Sequence, residues 1–173
     1  MFTRNDDIRN QIWESVSGLE EDQLNRKPSP EQWSIMQVLR HLNLMEHVIG
    51  QQARLALEKE QTVSVDKKPY ELTLDRSRSV EAPPHLQPPA APEALADVRS
   101  DLDESHQALN NFASDHDPDL LRSKSFPHPV FGEMDLTQWI DFASYHEERT
   151  WDRFRALSIS LAYKRLHIPE QYI

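Results

Sequence analysis

Apolar residues recur at helical spacing in four stretches of the chain. In the first of them Ile8, Ile12 and Val16 follow one another at intervals of four residues, which places them on one face of a helix. The chain contains only three glycines, so little interrupts these stretches apart from clustered prolines. The pattern predicts helices over about residues 4–17, 34–59, 92–114 and 136–157, followed by a C-terminal tail at 158–173.

The second stretch carries the clearest local signal. Pro28 and Pro30 break the chain before it, and Ser34 and Gln37 have the spacing of a capping box, in which each side chain bonds the backbone N–H of the other residue. The apolar positions that follow fall on one helical face. They are Ile35, Val38, Leu39, Leu42, Met45 and Ile49.

A long proline-rich connection separates the second and third predicted helices. Five prolines fall between Pro83 and Pro92, and they exclude regular helix or central strand there. The runs TVSV at 62–65 and YELTL at 70–74 are predicted as short extended pieces, and the segment at 126–135 as a turn-rich crossing. Together these features predict one all-α domain, a four-helix bundle with a long, largely irregular connection between helices 2 and 3.

Charge and composition restrict the partners that we expect. The 173 residues include 29 Asp and Glu against 19 Lys and Arg, a formal net charge of −10, which disfavours binding to nucleic acid or to an anionic membrane. No apolar run approaches the roughly 20 residues of a membrane span, and the first residues lack the apolar region of a secretory signal, so we expect a cytoplasmic protein. Because the chain has no cysteine, any metal site must use His, Asp, Glu or backbone oxygens.

Several polar side chains fall on or beside the apolar faces of the predicted helices. At 100° per residue, His41 lies at the edge of the second helix's face and Glu46 lies inside it. On the fourth helix His146 and Glu147 flank the centre of the apolar face. Thr150 lies close to that centre, one turn after His146.

These inward polar groups need partners, because an unpaired buried polar group costs on the order of 1–3 kcal/mol. His106 on the third helix also faces partly inward. The histidines and glutamates can satisfy one another without a metal, or converge on a divalent metal from different helices, or form a metal-free His–Glu acid/base pair. The residues alone leave these three interpretations open.

Two segments about 90 residues apart resemble the signatures of a known family. The run PSPEQWSIMQVLRHLNLME at 28–46 has a proline turn, Trp-Ser at the helix start, and then His-Leu and a downstream Glu. The run HPVFGEMDLTQWIDFASYHEER at 128–149 has a Pro and Gly turn, a Trp in the helix, and then His followed by charged residues. In content, order and separation these runs resemble the second-helix and last-helix signatures of the DinB-like (DinB/YfiT) superfamily.

The resemblance implies a four-helix bundle with a metal site held by three histidines. Matched residue by residue, two of the ligands fall at His41 and His146, and the third falls at position 150, where this chain has Thr150. Two imidazoles alone hold a divalent ion weakly; the ion is expected to be Zn, Ni or Fe, because imidazole suits these metals. Glu46 or Glu147 would complete the site as a third ligand or act as a catalytic base, and Trp139 would line the pocket beside Thr150.

Two classes of function follow from this comparison. Family members resemble thiol S-transferases that use low-molecular-weight thiols, or metal-dependent hydrolases, so the first hypothesis is a metal-dependent enzyme acting on a small molecule. The resemblance also implies a homodimer. The second is a non-catalytic binding module that kept the bundle and lost the metal site, which the threonine at position 150 favours. Metal content after tag-free purification distinguishes the two.

Overall fold

The computed structural model describes residues 3–75, 77 and 81–166, with side chains described from residue 6 to residue 152 within those ranges. Most of this part of the chain is helical. Its α-helices are α1 (Thr3–Val16), α2 (Glu21–Asn25), α3 (Ile35–Leu57), α4 (Leu95–Asp115), α5 (Pro118–Arg122) and α6 (Leu136–Leu166).

The four long helices α1, α3, α4 and α6 form a bundle, as the sequence predicts. Helix α3 packs against α4 and α6, and α6 also packs against α1. Ser34 and Gln37 form the predicted capping box at the start of α3. Helix α4 begins at Leu95 instead of residue 92, because Ala94 still has extended backbone angles. Helix α6 continues to Leu166, beyond the predicted end at 157, and residues 167–173 of the predicted tail lie outside the described residues.

The predicted turn-rich crossing is a β-hairpin. Strand β1 (Ser125–His128) pairs antiparallel with β2 (Gly132–Asp135), and Gly132 closes the loop with a φ of +71°. A proline is tolerated in β1 because a two-stranded sheet leaves one side of each strand without a neighbour. The hairpin leads directly into α6 and places its aromatic residues against that helix.

The long connection contains two short 3-10 turns, Tyr70–Leu74 and Pro84–Leu86, and is otherwise irregular in its described residues. The first turn replaces the extended piece predicted at 70–74. It is tied to α6, because the Tyr70 hydroxyl donates to Asp141 at 3.1 Å and the backbone N–H of Lys68 donates to Gln138 at 2.7 Å. The second turn lies against α3. The connection therefore crosses both helices that carry the predicted histidine ligands.

A polar layer divides the core of the bundle into two apolar clusters. On α3, buried Glu46 lies between Leu42, which belongs to one cluster, and Ile49, which belongs to the other. On α4 and α6 buried His106 and Glu147 mark the same change from one cluster to the next. None of the described helices has the combination of length and apolar character that a membrane span requires.

Candidate functional site

His41 and His146 face each other between α3 and α6. Their ring centroids are 5.2 Å apart and the ring planes are inclined by 58°. His41 is buried and His146 is half-buried. Trp33 packs against His41 with ring centroids 4.9 Å apart, and Phe142 packs against His146 with ring centroids 5.8 Å apart. Each histidine of the pair therefore has an aromatic neighbour. The two predicted histidine ligands are thus neighbours in the fold.

The tautomer of His41 follows from its contact with the proline-rich connection. Its Nδ1 lies 2.8 Å from the carbonyl oxygen of Leu86, and since a carbonyl only accepts, Nδ1 carries the proton. In the neutral ring Nε2 then bears the lone pair. Histidines that bind metals through Nε2 are commonly oriented by such a bond from Nδ1 to a backbone carbonyl.

His146 is a neutral imidazole near physiological pH. Burial lowers its pKa to about 3, and the nearby His41, Arg149 and His128 act in the same direction. A neutral ring has a nitrogen lone pair, which a metal ligand requires. His146 therefore has the protonation state of a ligand without depending on a neighbouring acid.

The separation of the two rings fits a shared divalent ion. A zinc–nitrogen bond of about 2.0–2.1 Å places the centroids of two imidazoles on one tetrahedral ion roughly 5 Å apart. The pair at 5.2 Å meets this condition. Thr150, the position at which the family resemblance predicts a third ligand, lies one turn further along α6 and is half-buried.

Trp139 lies two turns before His146 on α6 and packs with the hairpin. Its ring stacks on Phe126 at 4.2 Å, and its Nε1–H donates to the carbonyl of the same residue at 3.0 Å. It also contacts His128 at 5.1 Å. These contacts place Trp139 in the apolar cluster between the hairpin and α6, where it supports the helix that carries His146.

The two glutamates form a separate group, around Arg9 of α1. The guanidinium donates from Nε to Oε1 of Glu147 at 2.5 Å and from Nη2 to Oε1 of Glu46 at 2.8 Å. Its Nη1 donates to the carbonyl of Leu102 at 3.1 Å. All three charged side chains are buried. The structure therefore pairs Glu46 and Glu147 with an arginine.

His106 and Ser105 of α4 complete this group. Nδ1 of His106 lies 3.4 Å from Oε1 of Glu46, and its Nε2 lies 3.2 Å from a carboxylate oxygen of Asp6. The hydroxyl of Ser105 donates to Oε2 of Glu46 at 2.5 Å. Burial alone would raise the pKa of Glu46, but the bonds from His106, Arg9 and Ser105 outweigh it and lower that pKa. Burial raises the pKa of Glu147 despite the bond from Arg9.

The carboxylates and the histidine pair do not share a ligand set in the described part of the chain. Within it, one group of three His or acidic side chains has ligand atoms all within 4.8 Å of one another, and its members are Glu46, His106 and Glu147. His41 and His146 are outside that group. The donor set at the histidine pair is thus two imidazoles with a threonine nearby.

Arg9 was not among the residues that the sequence singled out, although a signal was present. It precedes Trp13 by four residues and Val16 by seven, so it lies on the apolar face of α1. A charge on an apolar face indicates a buried partner, and Glu46 and Glu147 already needed one. The sequence does not show that these three residues meet, because 138 positions separate Arg9 from Glu147.

Comparison with known proteins gives a family, a relative and two related structures. The family model described as the DinB superfamily matches residues 4–152. The uncharacterized protein YuaE of Bacillus subtilis (strain 168) is 33% identical over 144 residues, which cover 83% of this chain and 88% of YuaE.

The two solved structures are four-helix bundles. TT2238, described as a four-helix bundle protein, aligns with a TM-score of 0.61 and 20% identity over 90% of this chain and 95% of its own. YfiT from Bacillus subtilis, described as "a probable metal-dependent hydrolase with an unusual four-helix bundle topology", aligns with a TM-score of 0.64 and 15% identity over 93% of this chain and 85% of its own. At these identities the two structures establish the fold of this chain.

Proposed function

The chain belongs to the DinB superfamily, and from that premise we propose that it is a metal-dependent enzyme that acts on a small molecule at His41 and His146. The observation that carries the proposal is the pair of imidazoles with ring centroids 5.2 Å apart. The description of YfiT as a probable metal-dependent hydrolase supports the same class of activity.

The residues around the pair have distinct tasks in this proposal. The Leu86 carbonyl orients His41 through Nδ1, and burial keeps His146 uncharged at neutral pH. Thr150 holds a water or contributes its hydroxyl as a weak third ligand. A divalent ion held there, Zn, Ni or Fe, would lower the pKa of a bound water or thiol and so make it a nucleophile at neutral pH.

The reaction is hydrolysis or the transfer of a low-molecular-weight thiol. The aromatic rings of Trp33 and Phe142 give the pair apolar walls. Such walls suit a substrate with an organic, apolar part better than a small inorganic substrate. Glu46 and Glu147 support the bundle instead of serving as base or third ligand, because both are already bonded to Arg9.

Calorimetric titration of zinc and nickel tests the proposal. Tag-free wild type is expected to bind one ion weakly, and His146→Ala is expected to lose that binding. Thr150→His restores a three-histidine set and should bind at least about 10-fold more tightly, since an imidazole replaces a weak hydroxyl ligand. If Thr150→His binds no better than His146→Ala, the two helices do not present a metal site. If wild type binds as tightly as Thr150→His, another residue supplies the third ligand.

Thr150 also favours a second candidate, a helical bundle that binds a partner without metal chemistry. In that case His41 and His146 are satisfied by protein groups, such as the carbonyl of Leu86. Wild type would then bind no zinc at millimolar concentration. Binding to wild type that His146→Ala abolishes would exclude this candidate.

A further inference from the structure

The polar layer of the core has the composition of a metal centre with an arginine in the place of the ion. Three helices contribute to it, with Glu46 from α3, His106 from α4 and Glu147 from α6. Two carboxylates and an imidazole converging from different helices are the usual ligands of divalent metals in helical bundles. The guanidinium of Arg9 is bonded to both carboxylates and lies 3.5 Å from Nδ1 of His106.

We propose that Glu46, His106 and Glu147 form a second cation site, whose resident cation is the guanidinium of Arg9 and which takes a divalent metal once that guanidinium is removed. The site is separate from the histidine pair, so the proposal does not depend on the function proposed above. In the native protein Arg9 keeps metal out of the polar layer.

The geometry supports competition between arginine and metal for the same lone pairs. The ligand atoms of the three side chains lie within 4.8 Å of one another, close enough to share one ion. Arg9 bonds Oε1 of Glu46 and Oε1 of Glu147, the atoms that an ion between the helices would take. Oε2 of Glu147 is buried without a hydrogen-bond partner, so the site offers more acceptor atoms than the guanidinium uses.

The surrounding residues hold these ligands as they would around a metal. Nδ1 of His106 faces Glu46 and Nε2 lies 3.2 Å from Asp6, so a metal that displaces the proton on Nδ1 would find the proton on Nε2 held by Asp6. The hydroxyl of Ser105 orients Glu46, and Asn43 in turn donates to Ser105 at 3.2 Å. Asp6 is largely exposed, which gives the site an approach from solvent.

Cobalt binding to Arg9→Ala in a His146→Ala background tests the proposal, because the background removes the histidine pair as a competing site. Visible absorption reports Co²⁺ in a protein site, and thermal unfolding reports its effect on stability. Arg9→Ala/His146→Ala is expected to bind one equivalent of Co²⁺ and to gain roughly 5 °C or more in its unfolding midpoint. Adding His106→Ala should abolish both effects.

Arg40→Ala in the same background is the matched control. Arg40 also bridges two carboxylates, those of Glu93 and Asp101, at 2.7 and 2.8 Å, so its removal makes the same change in charge. The part of the chain that the structure describes has no third His or acidic ligand within 4.8 Å of that pair. If Arg9→Ala/His146→Ala responds to Co²⁺ no more than this control, the proposal is overturned.

Two further outcomes decide the proposal if Arg9→Ala does not fold by itself. Folding that requires Co²⁺ or Zn²⁺ supports it, and failure to fold with either metal overturns it.

His146→Ala with Arg9 intact is the third variant of the cobalt experiment. Co²⁺ absorption in that variant that disappears on His106→Ala would mean that the guanidinium does not exclude metal, and would also overturn the proposal.

Discussion

His41 of α3 donates its Nδ1 proton to the backbone carbonyl of Leu86, 2.8 Å away in the proline-rich connection. The contact joins the buried histidine to a segment that has almost no regular structure. Leu86 is itself buried, so its side chain holds the carbonyl in place. The connection between α3 and α4 thus orients a residue of the candidate site.

Leu86→Ala is therefore expected to affect both stability and metal binding. Loss of the buried side chain should cost about 2–3 kcal/mol of the free energy of unfolding. Zinc affinity at the histidine pair should fall about 10-fold, because the carbonyl that orients His41 is no longer held. Denaturant unfolding and calorimetric zinc titration measure the two effects.

Leu72→Ala provides the control for this prediction. Leu72 lies in the other 3-10 turn of the same connection but is 62% exposed, so its removal should change neither quantity appreciably. Equal losses of zinc affinity in the two variants would show that Leu86 has no specific part in positioning His41.

Arg9→Met is expected to destabilise the protein by about 3–5 kcal/mol, because it leaves the buried carboxylates of Glu46 and Glu147 without their cation. Converting both glutamates to glutamine in the same chain should recover most of the loss, since the buried charges are then gone. Urea unfolding without added metal measures the difference. A stability of Arg9→Met within about 1 kcal/mol of wild type would contradict the interpretation.

Arg40→Met is the matched comparison for Arg9→Met. Arg40 bridges Glu93 and Asp101, but the side chain of Asp101 is 49% exposed, so water replaces much of what the arginine provides. We expect a loss of about 1 kcal/mol or less. Because each arginine makes two ion pairs, a difference in stability loss between the two variants reports the effect of burying the charges and not the number of ion pairs.

Much of the bundle was predictable because its signals are local. Ser34 and Gln37 bond each other's backbone N–H at 3.1 Å, as their spacing predicts, and this fixes the start of α3. The β-hairpin was not predicted, because Pro127 and Pro129 obscure the alternation of apolar and polar residues by which a strand is recognised.

For the candidate site, the sequence predicts only the side of each helix on which a residue lies. Helical periodicity indicates that His41, Glu46, His146 and Glu147 turn inward, but it does not specify their level along the bundle or their partners. The structure pairs the two histidines with each other and both glutamates with Arg9. Such long-range pairings depend on how the helices align along their axes, which no local pattern encodes.

His128 makes the hairpin sensitive to acid. Its Nδ1 accepts the backbone N–H groups of Val130 and Phe131 at 3.0 and 3.2 Å, and its ring packs against Phe131, Trp139 and Phe142. Burial lowers the pKa of His128 to about 4. Protonation of the ring would also remove the acceptor that holds the hairpin loop.

The sign of the effect follows from the proton balance. Between pH 6.5 and 4 the unfolded chain binds a proton at His128 that the folded chain does not, so this contribution to stability is present above pH 6.5 and is lost as pH falls through 4. The loss should amount to roughly 1–3 kcal/mol, reduced by the partial exposure of the ring. His128→Asn retains an acceptor for the loop, because its side-chain oxygen can accept the same N–H groups, and it cannot titrate.

We therefore expect the free energy of unfolding of wild type to fall more steeply between pH 7 and pH 4 than that of His128→Asn. We compare the slopes against pH instead of the absolute free energies of unfolding. Asparagine is smaller than histidine and leaves space among three aromatic rings, so it lowers stability at every pH. His146, whose pKa is also lowered, contributes to both proteins, and most of its contribution cancels because burial is the main cause and His128 adds the smallest share. Urea unfolding at half-unit pH steps measures the two slopes. Parallel profiles would mean that His128 becomes protonated without cost in the folded protein and that the hairpin does not depend on its neutral form.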